Sequence, residues 1–330
     1  MNYLISEKST LTINNDFLSL DARSKAFILI KKDEALEKIK IPASVVRDIL
    51  IFGEANISSE FISLAEKNLI PIHILTRSGK YKGSLRFDLP KNVFLRYAQF
   101  LSHHEEKTKL EIAKKFIEAK LNNQNMFLQK IRAEHRIDKD FEVNTLDELR
   151  GVEGSRAQQY FKSWIDEKLI KSEDFMFLKR VKRDPKDPFN QLLSLAYSSL
   201  NKEIHTQLLI MGLDPYIGYL HEQKYSHPAL SSDFLEIYRG LVDHFIIKNI
   251  NLNKFSNKMF ERNSIDEAIL SSDGFKLFFS EWAIFLKDIE FEEGKNLIKI
   301  ITRDIKQLFH FCMRDKELDQ ISFFRWRRST

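Results

Sequence analysis

The repeat of apolar residues changes near residue 90, and that change constrains the fold more than any other feature of the chain. Before it, apolar residues come in short runs: Leu11-Thr12-Ile13, Phe17-Leu18-Ser19-Leu20 and Ala26-Phe27-Ile28-Leu29-Ile30. Turn formers such as Asn14-Asn15-Asp16 and Ser78-Gly79-Lys80 separate such runs, the punctuation expected between strands. Ile39-Lys40-Ile41-Pro42 reads as a strand ended by its proline, and Ile49 to Gly53 and Pro71 to Thr76 as further strands. Ser58 or Ser59 can cap one short helix running to Asn68. Beyond Pro90, Phe94, Tyr97, Ala98 and Leu101 recur at three- and four-residue intervals, as do Ile112, Phe116 and Ala119. Most of the remainder reads as helices of roughly 10–20 residues. The pattern predicts an α+β protein: a small β-rich domain over residues 1–86, a linker over 87–92, and a larger, mostly α-helical domain over 93–330.

Composition agrees with long helices, because 330 residues contain only 7 prolines and 10 glycines to break them. A hydrophobic share of 43% supports a sizeable core and excludes global disorder. The net charge of +5 permits binding to a polyanion without demonstrating it. The single cysteine, Cys312, excludes an intramolecular disulfide, and its apolar surroundings from Leu308 to Met313 read as a buried thiol. Met1 to Ser9 lacks the basic-then-apolar pattern of a signal peptide. No stretch approaches the ~18 uncharged apolar residues of a membrane span. The expectation is a cytoplasmic protein with no membrane partner.

The chemistry concentrates between Gly212 and Arg239. Gly212 can end a helix in the left-handed conformation, and Asp214-Pro215 reads as the N-cap and first residue of another, so the chain turns sharply just before His221. Asp233 and Glu236 stand three apart, on one face of a helix that Arg239 extends. Two aligned carboxylates near an imidazole suit magnesium or manganese. The same spacing also describes a solvated acidic helix face. Upstream, Glu153 lies between Gly151 and Gly154 at what reads as a helix start, where it also reads as a first-turn acid. Between the two segments, Lys179 to Pro188 forms a proline-punctuated basic loop, read equally as a phosphate-contacting arm or a solvated loop. Asn190 and Tyr197 follow on a helix whose core side holds Leu192, Leu193, Leu195 and Ala196.

Taken in order, these motifs resemble one family. Gly151-Val152-Glu153-Gly154 comes first, then Arg183-Asp184-Pro185-Lys186-Asp187-Pro188 leading into Asn190, Leu192-Leu193-Ser194 and Tyr197. Gly212-Leu213-Asp214-Pro215, Gly218-Tyr219-Leu220-His221 and the Asp233, Glu236, Arg239 triplet complete the series. Ala119-Lys120-Leu121-Asn122-Asn123-Gln124 adds an early helical motif, and Ile57-Ser58-Ser59 and Ser78 to Gly83 fit the N-terminal part. The pattern is similar to that of the CRISPR-associated integrase of spacer acquisition, the Cas protein one family, over nearly the whole chain, weakening after about Ile250. One departure is that Pro185 and Pro188 are spaced, where the family often has consecutive prolines; altered loop geometry is the expected result.

The resemblance implies that Glu153, His221 and Glu236 bind the catalytic Mg2+ or Mn2+, some relatives having aspartate in place of Glu236. Asp233 matches a further acidic position and is expected to act as a supporting group. The implied reaction is metal-dependent cleavage and joining of DNA, in which a spacer's 3′-hydroxyl attacks a phosphodiester at a CRISPR repeat boundary. The implied partners are double-stranded DNA with 3′-OH ends, CRISPR repeat DNA, a second copy of the chain paired through the N-terminal domain, and a dimer of a small second Cas protein. Lys182, Arg183, Lys186, Lys224 and Arg239 are the candidates for holding phosphates. Two other readings stay open: a general structure-specific nuclease for branched DNA, and a non-catalytic DNA-binding protein. The basic aromatic end, Phe323 to Arg328, reads equally as a contact surface or a packed terminus.

Overall fold

The computed structural model describes residues 9–13, 17–23, 25–31, 38–75, 81–85, 87, 92–182, 185–262 and 268–327. The chain divides into two compact units, Met1–Leu89 and Pro90–Thr330.

The first unit holds two four-stranded sheets. One contains β1 (Ser9–Ile13), β5 (Val46–Phe52), β7 (Ile72–Leu75) and β8 (Tyr81–Leu85) in that order, parallel except for the last pair. The other runs β4 (Lys38–Pro42), β3 (Ala26–Lys31), β2 (Phe17–Arg23) and β6 (Asn56–Ile57), with β2 and β6 parallel. The α-helix α1 (Ser59–Lys67) follows its cap as the sequence predicts: Ser58 Oγ accepts the Phe61 N–H at 3.1 Å. Ile13, Leu20, Phe27, Ile49, Phe61 and Ile72, drawn from both sheets and the helix, form one buried core. β6 and β8 were not legible in the sequence, being a two-residue strand and one whose Gly83 and Ser84 interrupt the apolar alternation. The turns expected at Asn14–Asp16 and Ser78–Lys80 lie outside the described residues, as does most of the 87–92 connection.

The second unit is built from α2 (Val93–His104), α3 (Glu106–Lys130), α4 (Leu146–Asp166), α5 (Pro188–Met211), α6 (Ala229–Asn251), α7 (Ser272–Lys287) and α8 (Leu297–Cys312), with short hairpins between some of them. α3, α4, α5 and α6 each exceed 20 residues, longer than expected, because no proline interrupts them beyond the first position of α5. α6 is buried along most of its length, and α3 crosses it closely at Gly240. A Cβ added there would lie 2.6 Å from the Asn123 carbonyl oxygen, so glycine is what lets the two backbones approach.

α2 forms where the periodicity places it but buries a different face. Leu95 and Gln99 are inside, while Phe94 (81% exposed), Tyr97 and Leu101 face outward. The Gln99 amide is satisfied there: it donates to the Asp214 and Ile217 carbonyls and accepts the Asp214 N–H. The basic aromatic end is a packed terminus through Arg327. Phe323, Phe324 and Trp326 are buried, and Asn123 fastens the segment by accepting the Trp326 N–H and donating to the Phe324 carbonyl. Cys312 is buried, as its setting predicts, and burial pushes its thiol up to about 11. Among the described residues no helix is long and apolar enough to cross a membrane.

Candidate metal centre

Glu153 projects from the interior of α4, not from a helix start as the flanking glycines imply. The helix begins earlier, where Thr145 Oγ1 accepts the Glu148 N–H and the Glu148 carboxylate accepts the Asn144 N–H. A Cβ on Gly151 or Gly154 would meet nothing within 4 Å, so neither glycine serves a close approach inside the chain.

His221 sits on the connection between α5 and α6. Gly212 (φ 85°) ends α5 in the left-handed conformation, as the sequence predicts. Asp214-Pro215, however, does not open a helix. The Asp214 and Ile217 carbonyls accept from Gln99, and Asp214 Oδ1 accepts the Tyr216 N–H in a tight turn. The next helix starts only at Ala229.

Asp233, fully buried on the first turns of α6, gathers that connection. Its carboxylate accepts the backbone N–H groups of Tyr219, Leu220 and His221 at 2.5, 3.0 and 2.9 Å. Gly218 is required beside it, since a Cβ would lie 2.8 Å from Asp233 Oδ2 and from Ala229. The same carboxylate lies 2.7 Å from His221 Nδ1. With Nδ1–H donated to Asp233, the lone pair of a neutral ring is on Nε2, which stands 3.9 Å from Glu236 Oε1. Burial opposes protonation of His221, but the hydrogen bond and charge of Asp233, together with the charge of Glu236, outweigh it and raise the ring above its ordinary value.

Glu236 follows one turn later and is almost wholly buried. Burial favours its neutral acid, yet the charges of Arg239, Lys120 and His221 prevail and hold the carboxyl well below the usual range. Arg239 Nε lies 2.8 Å from Glu236 Oε1, and its guanidinium stacks 4.5 Å over the Tyr197 ring. Arg239 is thus turned inward. Tyr197 in turn donates to the buried Asp243, which also accepts from Tyr160.

Glu153, His221 and Glu236 line one pocket of about 320 Å³, shared with Arg150, Leu220, Glu222, Lys224 and His227. Lys120, on α3, was missed as a site residue. Its ammonium contacts Glu153 Oε1 and lies 2.7 Å from Glu236 Oε2, and its side chain is only 4% exposed. The available signal was helical register, which puts Lys120 on the same face as Phe116, Asn123 and Phe127. Arg150 and His227 were also missed; Arg150 Nε holds the Leu220 carbonyl beside His221.

The donor set suits a hard or borderline divalent cation: two carboxylates from different helices and one imidazole. Glu236 Oε2 is buried and faces the Lys120 ammonium at 2.7 Å, so its position already favours a cation. Among the described residues no three His, Cys, Asp or Glu side chains are gathered tightly enough to hold an ion as they stand. The space between the two carboxylates holds the Lys120 ammonium.

The basic arm is anchored at its root. Asn190 donates to the Lys179 carbonyl, accepts the Val181 N–H at 3.0 Å, and accepts from Arg180 at 2.9 Å, while Asp187 and Pro188 cap and open α5. Lys182 and Lys186 are exposed on the arm, Lys224 is exposed at the pocket, and Arg183 lies outside the described residues.

The family model for CRISPR associated protein Cas1 matches residues 11–283. The CRISPR-associated endonuclease Cas1 3 of Thermus thermophilus is 31% identical over 292 residues, covering 86% of this chain and 82% of that protein. A Cas1 protein from Thermotoga maritima superposes with a TM-score of 0.81 at 25% identity, over 93% of this chain and 97% of its own. A chain of a Cas6-RT-Cas1–Cas2 complex superposes at 0.80 and 25% identity, covering 99% of this chain and 37% of the longer one. With the matched residues spanning both units, the chain belongs to the CRISPR-associated Cas1 protein family.

Proposed function

We propose that this protein is a metal-dependent DNA endonuclease and integrase of CRISPR adaptation, joining the 3′-OH ends of spacer DNA to the CRISPR repeat. The observation that carries the reading is the meeting of Glu153, His221 and Glu236, from two helices and a loop, in one pocket rimmed by Arg150 and Lys224. Relatives named as Cas1 endonucleases and a structural neighbour named as part of a Cas1–Cas2 complex support it.

Glu153 and Glu236 supply oxygen ligands and His221 supplies Nε2 to Mg2+ or Mn2+. When bound, such an ion acidifies an attacking hydroxyl and neutralises charge on a phosphodiester. Asp233 fixes the ring's tautomer and aim, and Arg239 balances the charge of Glu236. Lys182, Arg183, Lys186 and Lys224 hold the DNA backbone. No protein nucleophile takes part, since the attacking oxygen belongs to the DNA.

In this reading residues 1–86 form a dimerisation domain, 87–92 a linker and 93–330 the catalytic domain. The protein works in the cytoplasm as a homodimer with a small second Cas protein. The test is a branched DNA mimicking a half-integrated spacer, incubated with Mn2+ or Mg2+ and read on a denaturing gel. Wild type should release and rejoin strands only with metal, and Glu153→Ala and His221→Ala should do neither. Hydrolysis without joining would favour a plain branched-DNA nuclease.

A further inference from the structure

We propose that Lys120 is a resident counter-cation of the metal centre, holding Glu153 and Glu236 together in the ion-free protein and vacating that position when a divalent ion enters. The inference rests on the divalent-ion reading above.

Its basis is where the ammonium lies. A lysine side chain with 4% exposure is rare unless its charge is matched, and here two carboxylates from two helices match it. On this face of α3, Phe116 and Phe127 lie a turn and two turns away and are wholly buried, and the buried Asn123 spends its amide on the backbone of α6 and of the C-terminal segment. The ammonium therefore belongs to the carboxylates rather than to solvent.

The charges explain why it must leave. With the His221 ring neutral, Glu153, Glu236, Asp233, Lys120 and Arg239 sum to −1, a nearly balanced cluster in a mostly buried setting. Adding a divalent ion with both cations still in place would leave one uncompensated positive charge there, which burial penalises. Moving the ammonium out as the ion moves in limits that excess and frees both carboxylate oxygens. The four-carbon stem permits such a swing, and an arginine's rigid fork would not replace it. The pocket that Glu153 and Glu236 line is the route open to it, and a departed ammonium there joins Arg150 and Lys224 in meeting phosphate.

The consequence is that ion binding is an exchange against a tethered competitor. Lys120→Met keeps the stem and deletes the charge. Manganese binding, measured by electron paramagnetic resonance of free Mn2+ without DNA, should tighten by about tenfold in this variant, the effect of losing a competing cation in a partly screened site. The metal-free variant should melt below wild type, because Glu153 and Glu236 face each other without the ammonium between them, and Mn2+ should raise its melting temperature more than it raises that of wild type. Lys120→Gln provides the same comparison should the methionine variant fold poorly. Equal or weaker Mn2+ binding by folded variants, with wild type binding normally, would overturn the counter-cation role alone. Failure of wild type and variants alike to bind Mn2+ would overturn it together with the divalent-ion reading.

Discussion

His221 is aimed by Asp233: Nδ1 of the ring lies 2.7 Å from the carboxylate oxygen that also accepts the histidine's own backbone N–H. One buried acid thus sets both the fold of the loop and the direction of Nε2. Asp233→Ala should leave three buried N–H groups without an acceptor and cost about 3 kcal/mol in urea unfolding. Asp233→Asn should fold better yet lose about 10–100-fold in Mn2+ affinity, because the ring loses its orienting anion. Unchanged affinity in Asp233→Asn would remove the orienting role.

Burial opposes protonation of His221, but the Asp233 hydrogen bond and the Asp233 and Glu236 charges raise its pKa above 6.5. A proton on the ring competes with an ion, so Mn2+ binding should weaken as pH falls, beginning above pH 6.5. Histidine ring signals in a proton NMR titration of the ion-free protein should include one with such a raised value, absent from His221→Gln.

His244 shows the opposite shift. Burial and then Lys248 and Lys130 lower its pKa to about 4, and its ring packs edge-on against Phe127 and Trp326. A depressed folded value means the neutral ring's contribution is present above pH 6.5 and is lost as pH falls toward 4. His244→Phe should reduce the loss of stability across that window by roughly 3 kcal/mol, read from denaturant midpoints at several pH values.

Gly240→Ala tests the crossing of α3 and α6. The added methyl would meet the Asn123 backbone, which cannot yield as a side chain can. A loss of about 1–3 kcal/mol is expected, with weaker Mn2+ binding because Lys120 and Glu236 sit on these two helices.

Lys182→Ala tests the basic arm. DNA binding should weaken alike for all sequences, and the slope of log affinity against log salt should shrink by about 1. The integration site should not change. A shift to new positions would mean that Lys182 reads sequence or shape instead of neutralising a phosphate.

Local rules carried most of the architecture. Alternating and helical periods separated a β-rich unit from a helical one, Ser58 capped its helix, Pro42 ended its strand and Gly212 closed α5 in the left-handed conformation. Each depends on neighbours within a few positions, which is why it could be read directly. The helix expected at Asp214-Pro215 does not form; the turn found there is tied to Gln99, 115 positions away. On α2 the buried positions are Leu95 and Gln99, and Gln99 is held there by the Asp214 and Ile217 backbone, which no local pattern shows.

The sequence by itself determined which acids and which histidine are present, that Asp233, Glu236 and Arg239 share a helix face, and, through the order of its motifs, the family. Only the tertiary structure decided their division of labour. Asp233 turned out to hold a loop, Arg239 to face inward, and Lys120 to join carboxylates on α4 and α6. These pairings span long loops and separate helices. They are settled by charge balance and hydrogen-bond satisfaction in a buried, low-dielectric setting, which no local pattern along the chain encodes.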